Sequence, residues 1–487
     1  MLLLSPLLVP LFTAVVTVML QRHQRLQQGF SIAGAAILLL CALWLMQEAA
    51  SNGRISVALG NWPLPFAIEL VADRLSTLMI VITAVLGLGV LVYQTSFADT
   101  AGESAMLHPL LHGLLAAVGG ALLTADLFNL YVWFELMLIT VLGLLVVHDG
   151  FRHQEAAFKY FALNMFGTLL FLAAVAMLYG ATGQLNFSGL AEAVGRPELK
   201  AAIPVYVAML MSAFLLKAAA FPLFFWLPAS YHTLPVPVLA LIGGLITKVG
   251  VYVLLRLMGE VFIDQPAVFY EALGWIAVAT MISGVLGAAY HWDLRRILAF
   301  HIVSQIGYLL LAVALATPAS GSAGVFFMVH NILAKAALFL IAGIMWRTAG
   351  HYDLRRIGGL YPARPLLAML FLVAGFSLVG LPPSSGFWGK FLLVQESFVQ
   401  GRYVWGGLAL AVGVLTLYSM VKIWLEGFWK PHPDGAAAAV SGSNPAAAYA
   451  VVLVLVALLL AMGLYPEPLI RFTDAATVHL WQGGGAS

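Results

Sequence analysis

Lys217, Lys248, Lys335, Lys390 and Glu135 each fall near the middle of a long apolar run, such as AMLMSAFLLKAAAF or YVWFELMLITVLGLL. A charge at the centre of a bilayer costs roughly 2.5–3.5 kcal/mol even on the mildest insertion scale. Five of them cost more than about 12 kcal/mol, comparable to the stability of a whole domain. Packing alone does not justify that expense. Amines and a carboxylate in such places point to the movement of protons or cations across a membrane.

Glu135 is the only carboxylate at mid-depth and is the natural partner of Lys217. A nearby anion favours an ammonium, whereas desolvation and a second cation favour the neutral amine. A lysine under both influences can change protonation as its surroundings change. The alternative is a static salt bridge joining helices. Lys248 (GGLITKVGVY) and Lys335 (HNILAKAALF) stand beside small residues that let helices approach. Asn331 shares a helical face with Lys335, while His330 points elsewhere and serves either a second cavity or a backbone carbonyl. His301, Gln305 and Tyr308 make one polar stripe with Ser304 beside it. That stripe suits either a proton relay or interhelical hydrogen bonding. Lys422 and Glu426 are spaced for a local ion pair, and Asp126 for a helix cap.

These residues must be held by an all-α polytopic membrane protein. The chain has 487 residues, is 62% hydrophobic and 9% charged, and has a mean hydropathy of +0.98. Soluble domains carry about 25% charged residues. A single cysteine, Cys41, excludes an iron–sulfur ligand set within the chain and a disulfide framework. No glycine-rich nucleotide loop follows a strand, so no cofactor is expected, and no nucleic acid partner either. Hydropathy gives about fourteen spans, beginning with a retained first helix rather than a cleaved signal. An excess of Lys and Arg on one side places both termini away from the cytoplasm.

Residues 51–72 alternate and suit a short external hairpin; 183–200 read as a polar external loop, and 431–446 as a linker. The terminal WQGGGAS is expected to fray. HWDLRRI at 291–297 and HYDLRRI at 351–357 repeat on the cytoplasmic side, with Asp293 and Asp353 as caps. Prolines interrupt two apolar runs, at KAAAFPLFFWLPASYHTLPVP and at GLPPSSGFWGKF. Breaks at matching positions of two halves are the sign of inverted repeats. The expected division is 1–100 (three helices and the hairpin), 101–260 and 261–430 (two five-helix repeats of opposite topology), and 431–487 (linker and last helix).

FELMLI around Glu135, LLKAAAFPLFFWLPASYH around Lys217, GGLITKVGVY around Lys248, HNILAKAALFL around Lys335 and GFWGKF around Lys390 resemble the antiporter-like membrane subunits. These occur in respiratory complex I and in multisubunit Mrp-type cation/proton antiporters. The resemblance covers roughly residues 70–430 and is greatest to the Mrp (Mnh/Pha/Sha-type) D subunits. It implies fourteen helices, two inverted five-helix repeats and broken helices seven and twelve. It also implies a charge pair of Glu135 and Lys217, a central relay of Lys248 and Lys335, and a terminal site at Lys390. To these the reading of the residues themselves adds His301 and His330 on the proton path, with Tyr308, Gln305, Ser304 and Asn331 in support.

Lysine at 390 departs from the one complex I subunit that has glutamate there. Only about 23 residues follow the last span, too few for the long lateral helix of the largest complex I member. The implied partners are other integral membrane subunits, protons, Na⁺ or K⁺, and the lipid of a bacterial cytoplasmic (inner) membrane. The expected activity is Na⁺(K⁺)/H⁺ antiport by a transporter subunit rather than an enzyme. The alternatives are a proton-pumping subunit of a complex I-like NADH-quinone oxidoreductase and a membrane scaffold.

Overall fold

A computed structural model describes residues 2–97, 104–147, 150–433, 435 and 445–481. Lipid offers the backbone no hydrogen bonds, so long apolar segments close their own as helices. Among the described residues, eleven helices are long and apolar enough to cross a membrane, and three shorter apolar ones accompany them.

The chain opens with α1 (Ser5–Met19) and α2 (Gln24–Asn52). Strands β1 (Ile55–Ala58) and β2 (Glu69–Ala72) then pair antiparallel, with Ile55 opposite Ala72. Helices α3 (Arg74–Ser96), α4 (Leu107–Leu123), α5 (Leu127–Val146) and α6 (Phe151–Thr182) follow. Asp73 starts α3 through a reciprocal cap: its side chain accepts from Ser76 N at 2.8 Å, and Ser76 Oγ accepts from Asp73 N at 2.9 Å. Asp126 caps α5 by accepting from Asn129 N at 2.7 Å. The short α7 (Phe187–Val194) occupies the expected polar loop.

Next come α8 (Ile203–Lys217), α9 (Trp226–Tyr231), α10 (Val236–Arg256), α11 (Ala267–Tyr290), α12 (Leu294–Leu315) and α13 (Pro318–Ala349). The most apolar windows of α10 and α13 are 100% buried, against 33% for α1, α2 and α18. The molecule is therefore built around α10 and α13, with the outer helices left to face lipid. The chain ends with α14 (Leu360–Ala363), α15 (Pro365–Val379), α16 (Ser385–Val399), α17 (Tyr403–Ile423), α18 (Ala446–Leu464) and α19 (Glu467–Thr477).

Both proline-rich runs depart from helix, at 218–225 and at 380–384. Freed backbone groups at each are met by side chains. The Trp226 indole donates to Leu216 O at 3.1 Å, and Phe221 N donates to Thr280 Oγ1 at 2.9 Å. In the second run Gly380 adopts a φ of +95°, which ends α15 and turns the chain.

The two HxDLRRI repeats dock on each other. Leu294 N donates to Tyr352 O at 2.9 Å and Leu354 N to Trp292 O at 3.1 Å. Asp293 accepts from Arg295 N and Arg296 N, and Asp353 from Arg355 N, so both serve as caps.

Most of the expected linker at 431–446, and the terminal segment after Trp481, lie outside the described residues. Helix α19 was not expected from the sequence. Its Thr473 Oγ1 meets Ser322 Oγ at 2.9 Å, and Trp481 N donates to Gly259 O at 2.8 Å, fixing it to α13 and the end of α10.

Candidate functional site: a line of buried lysines

Helices α8, α10, α13 and α16 each bring one lysine into the interior. Lys248 and Lys335 are fully buried, Lys217 is 4% exposed and Lys390 8%. Their partners are uncharged. Lys248 Nζ donates to Gly243 O at 2.9 Å, and Lys335 Nζ to Leu298 O at 3.3 Å. Lys390 Nζ donates to Leu378 O at 3.0 Å and Val379 O at 2.9 Å, the last carbonyls of α15. That position also suits the partial negative charge at a helix C-terminus. Lys390 further lies 4.7 Å from the centre of the Tyr308 ring.

Glu135 and Lys217, expected as a charge pair, share no direct hydrogen bond. Lys217 Nζ donates to Thr168 Oγ1 at 2.9 Å and stands 4.9 Å from the Phe134 ring centre. Glu135, next along α5, remains within electrostatic reach of Lys217, and its buried Oε1 has no partner among the described residues. The neutral hydroxyl and ring intervene because Lys217 ends α8, where its side chain meets α6 before α5. Lys335 is within electrostatic reach of both Lys248 and Lys390. Gly250 lets α10 touch the break after α8, since a Cβ there would lie 3.2 Å from Ala218 N. The line thus runs through α8, α10, α13 and α16.

The remaining expected residues gather around its second half. His301 Nε2 lies 2.8 Å from Ser419 Oγ, and Tyr308 donates to Ala409 O at 2.6 Å, so their stripe faces α17. His330 Nδ1 lies 2.9 Å from Ser385 Oγ on α16, while Lys335 reaches α12. Gln305, Ser304 and Asn331 are fully buried, and among the described residues their side-chain polar atoms have no partner. Leaving such a group unpaired costs about 1–3 kcal/mol, so polar atoms gathered here suit ordered water.

Lys422 corrects a sequence expectation. It does not pair with Glu426, which bonds Lys430 at 2.9 Å. Its Nζ instead donates to Ala289 O at 2.7 Å and His291 O at 2.6 Å, closing the C-terminus of α11. Helix proximity outweighed the i, i+4 spacing.

Other polar groups were missed by the sequence reading. Arg256 engages both oxygens of Asp73 at 2.6 and 2.5 Å and Glu260 at 2.7 Å, and His479 Nε2 lies 3.2 Å from Glu260. Asp73, Glu260 and His479 could together face a metal ion, but the guanidinium already occupies both carboxylates. At the opposite end, a cavity of about 1040 Å³ is lined by Arg152, Lys159, His232, Arg295, Arg296 and Asp353, among others. Burial and the Arg296 guanidinium push His232 down to about 4. Its Nδ1 faces Pro228 O at 3.0 Å and its Nε2 faces Arg296 at 3.3 Å, as a neutral imidazole requires.

The family model described as NADH:quinone oxidoreductase/Mrp antiporter, TM, matches residues 124–417. The chain is similar to the Na(+)/H(+) antiporter D subunit of Alkalihalophilus pseudofirmus, with 37% identity over 97% of this chain and 95% of that one. Among solved structures it is similar to a chain of the Mrp complex from a Dietzia species, with a TM-score of 0.90 and 31% identity, covering 99% and 98% of the two chains. A chain of the membrane-bound sulfane sulfur reductase, an archaeal respiratory membrane complex, also matches at a TM-score of 0.90, with 25% identity and coverage of 98% and 97%.

Proposed function

Because the chain belongs to the NADH:quinone oxidoreductase/Mrp antiporter family of membrane subunits, and within it to the D-subunit type, we propose that it carries protons along its buried lysines as part of a hetero-oligomeric Na⁺(K⁺)/H⁺ antiporter. The observation that carries this reading is the choice of partners. Lys248, Lys335 and Lys390 all donate to main-chain carbonyls. A carboxylate partner would hold a lysine as ammonium. A carbonyl accepts a hydrogen bond from ammonium and amine alike, so protonation can change without breaking the contact.

In this reading Glu135 biases Lys217 without locking it, because Thr168 takes the direct contact. A charge change there alters the field at Lys248, and Lys335 passes it to Lys390. His301, His330, Tyr308, Gln305, Ser304 and Asn331 line the second half and hold water for transfer between amines. The α8–α9 and α15–α16 pairs count as one broken crossing each, the seventh and twelfth of fourteen. The units 101–260 and 261–430 are then the two inverted repeats, and both termini lie on the outer side of a bacterial inner membrane.

The test is cation-dependent pH change in everted vesicles carrying the assembled complex. Glu135→Ala, Lys217→Ala and Lys390→Ala are expected to abolish it while leaving membrane insertion and assembly intact. Wild-type rates in all three would refute these roles. The similarity to a chain of a respiratory complex supports a second reading, proton pumping in a redox assembly. Co-purification with flavin or iron–sulfur subunits would favour that one, and small cofactor-free membrane subunits the antiporter.

A further inference from the structure

His108 and His112 on α4 lie outside the lysine line, yet they are only 1% and 0% exposed. Four residues apart, they share one helical face. Opposite them on α2 is Ser31, also fully buried. Ser31 Oγ lies 2.9 Å from His108 Nδ1 and 2.9 Å from His112 Nε2. His112 Nε2 is also 3.1 Å from the Ser31 carbonyl oxygen.

These contacts fix the protons. A carbonyl oxygen only accepts, so His112 Nε2 must carry hydrogen. Ser31 Oγ therefore accepts from His112 and gives its own hydrogen to His108 Nδ1. Both rings are Nε2–H tautomers, and the chain of donors runs from His112 through Ser31 to His108. The other nitrogen of His112, Nδ1, is then a bare lone pair, buried and, among the described residues, without a hydrogen-bond partner. A group placed only to join helices would gain from using both nitrogens.

We propose that His112, Ser31 and His108 form a second proton-relay site, separate from the lysines. A proton binds Nδ1 of His112. The Nε2 hydrogen of His112 passes to Ser31 Oγ as the Ser31 hydrogen passes to His108 Nδ1. His112 is left as the neutral Nδ1–H tautomer and His108 as imidazolium. One proton enters, and one positive charge moves from α4's second turn to its first.

The surroundings suit such a site. Gln27, one turn earlier on α2, donates to Thr17 O and Ala105 O at 2.8 Å each and closes the cluster towards the helix ends. Among the described residues, His108 is the only titratable group acting on His112. Gly113 faces Thr140, Gly120 faces Trp133 and Gly143 faces Leu110, which sets the register of α4 against α5. Glu135 therefore lies opposite Val118, six residues or about 9 Å further along the axis. The relay sits between one membrane end and the level of Glu135. The onward step to Glu135 rests on the lysine reading, but the relay itself does not.

The test uses the assembled complex with nitrogen-15 histidine, the two signals being assigned by His112→Gln and His108→Gln. His112 is expected as the Nε2–H tautomer at about pH 8. In transport, His112→Gln and Ser31→Ala are each expected to lower the rate about tenfold or more and to change the shape of its pH profile. Glutamine still donates to the Ser31 carbonyl, so a purely structural histidine would tolerate that exchange. An Nδ1–H tautomer at His112, or wild-type pH profiles in both variants, would overturn the proposal. The tautomer signal is expected to persist in Lys248→Ala, which separates failure here from failure of the lysine line.

Discussion

Lys217 differs from the other three lysines in meeting a hydroxyl, Thr168 Oγ1, rather than a carbonyl. That hydroxyl is a removable partner. Thr168→Val leaves the amine without an acceptor, at a cost of about 1–3 kcal/mol, whereas Thr168→Ser preserves it. Cation-dependent transport is expected to fall about tenfold or more in the valine variant and to stay near normal in the serine variant, as read in vesicles. His232 gives a pH-dependent expectation. Its value of about 4 lies below the ordinary histidine pKa of about 6.5. The unfolded chain therefore binds the proton first, and His232 lowers stability as pH falls from about 6.5 to about 4. His232→Gln is expected to soften the acid loss of melting temperature in that window and to leave neutral pH unchanged. The lysines and Glu135 were legible in the sequence because charge inside an apolar run needs no tertiary knowledge to notice. Thr168, Ser385 and Ser419 were not, because a lone hydroxyl in a helix acquires meaning only from the helix opposite. His108 and His112 were within reach, spaced i, i+4 in LHPLLHGLL, but only Ser31 across the interface gives them a chemical role.

At the scale of elements, the two breaks decide where the terminal lysines sit. The start of α16 presses against the end of α15 so closely that a Cβ on Gly386 would fall on the Ser377 carbonyl oxygen. Gly386→Ala must push α16 away, taking Lys390 and Ser385 with it. Overpacking of this kind costs about 1–3 kcal/mol. Transport is expected to collapse in Gly386→Ala. Gly407→Ala, at a site with nothing among the described residues within 4 Å, is expected to transport normally. The prolines and Gly380 mark the breaks in the sequence itself, since each removes a donor or permits a conformation that helices lack. What closes them was hidden: the Trp226 indole and Lys390 Nζ reach carbonyls 10 to 12 residues away. The same limit explains Lys422, whose true partner is the end of α11, 131 to 133 residues distant. Local spacing names the candidates, and packing chooses among them.

For the molecule as a whole, hydropathy alone announced a multi-span helical protein, while helix α19 and the Arg256 network went unseen. A reading by hydropathy picks out long apolar runs, so a short amphipathic helix such as α19 escapes it, and a buried ion pair shows itself only once the helices are packed. Arg256 joins Asp73 at the start of α3 to Glu260 and, through it, to His479 beyond α19. Removing one partner of a buried pair leaves a charge uncompensated and costs about 3–5 kcal/mol. Arg256→Met is therefore expected to lower the melting temperature and complex yield, more than His479→Gln, whose imidazole is 40% exposed. Transport per assembled complex should survive in His479→Gln. The lysine line stands apart from this network, and its protonation can be watched directly. Nitrogen-15 lysine spectra of the complex in vesicles, assigned by Lys248→Gln and Lys335→Gln, should show ammonium and amine forms interconverting when a proton gradient is imposed. Four lysines that stay ammonium throughout, while transport runs at full rate, would contradict proton carriage by these amines.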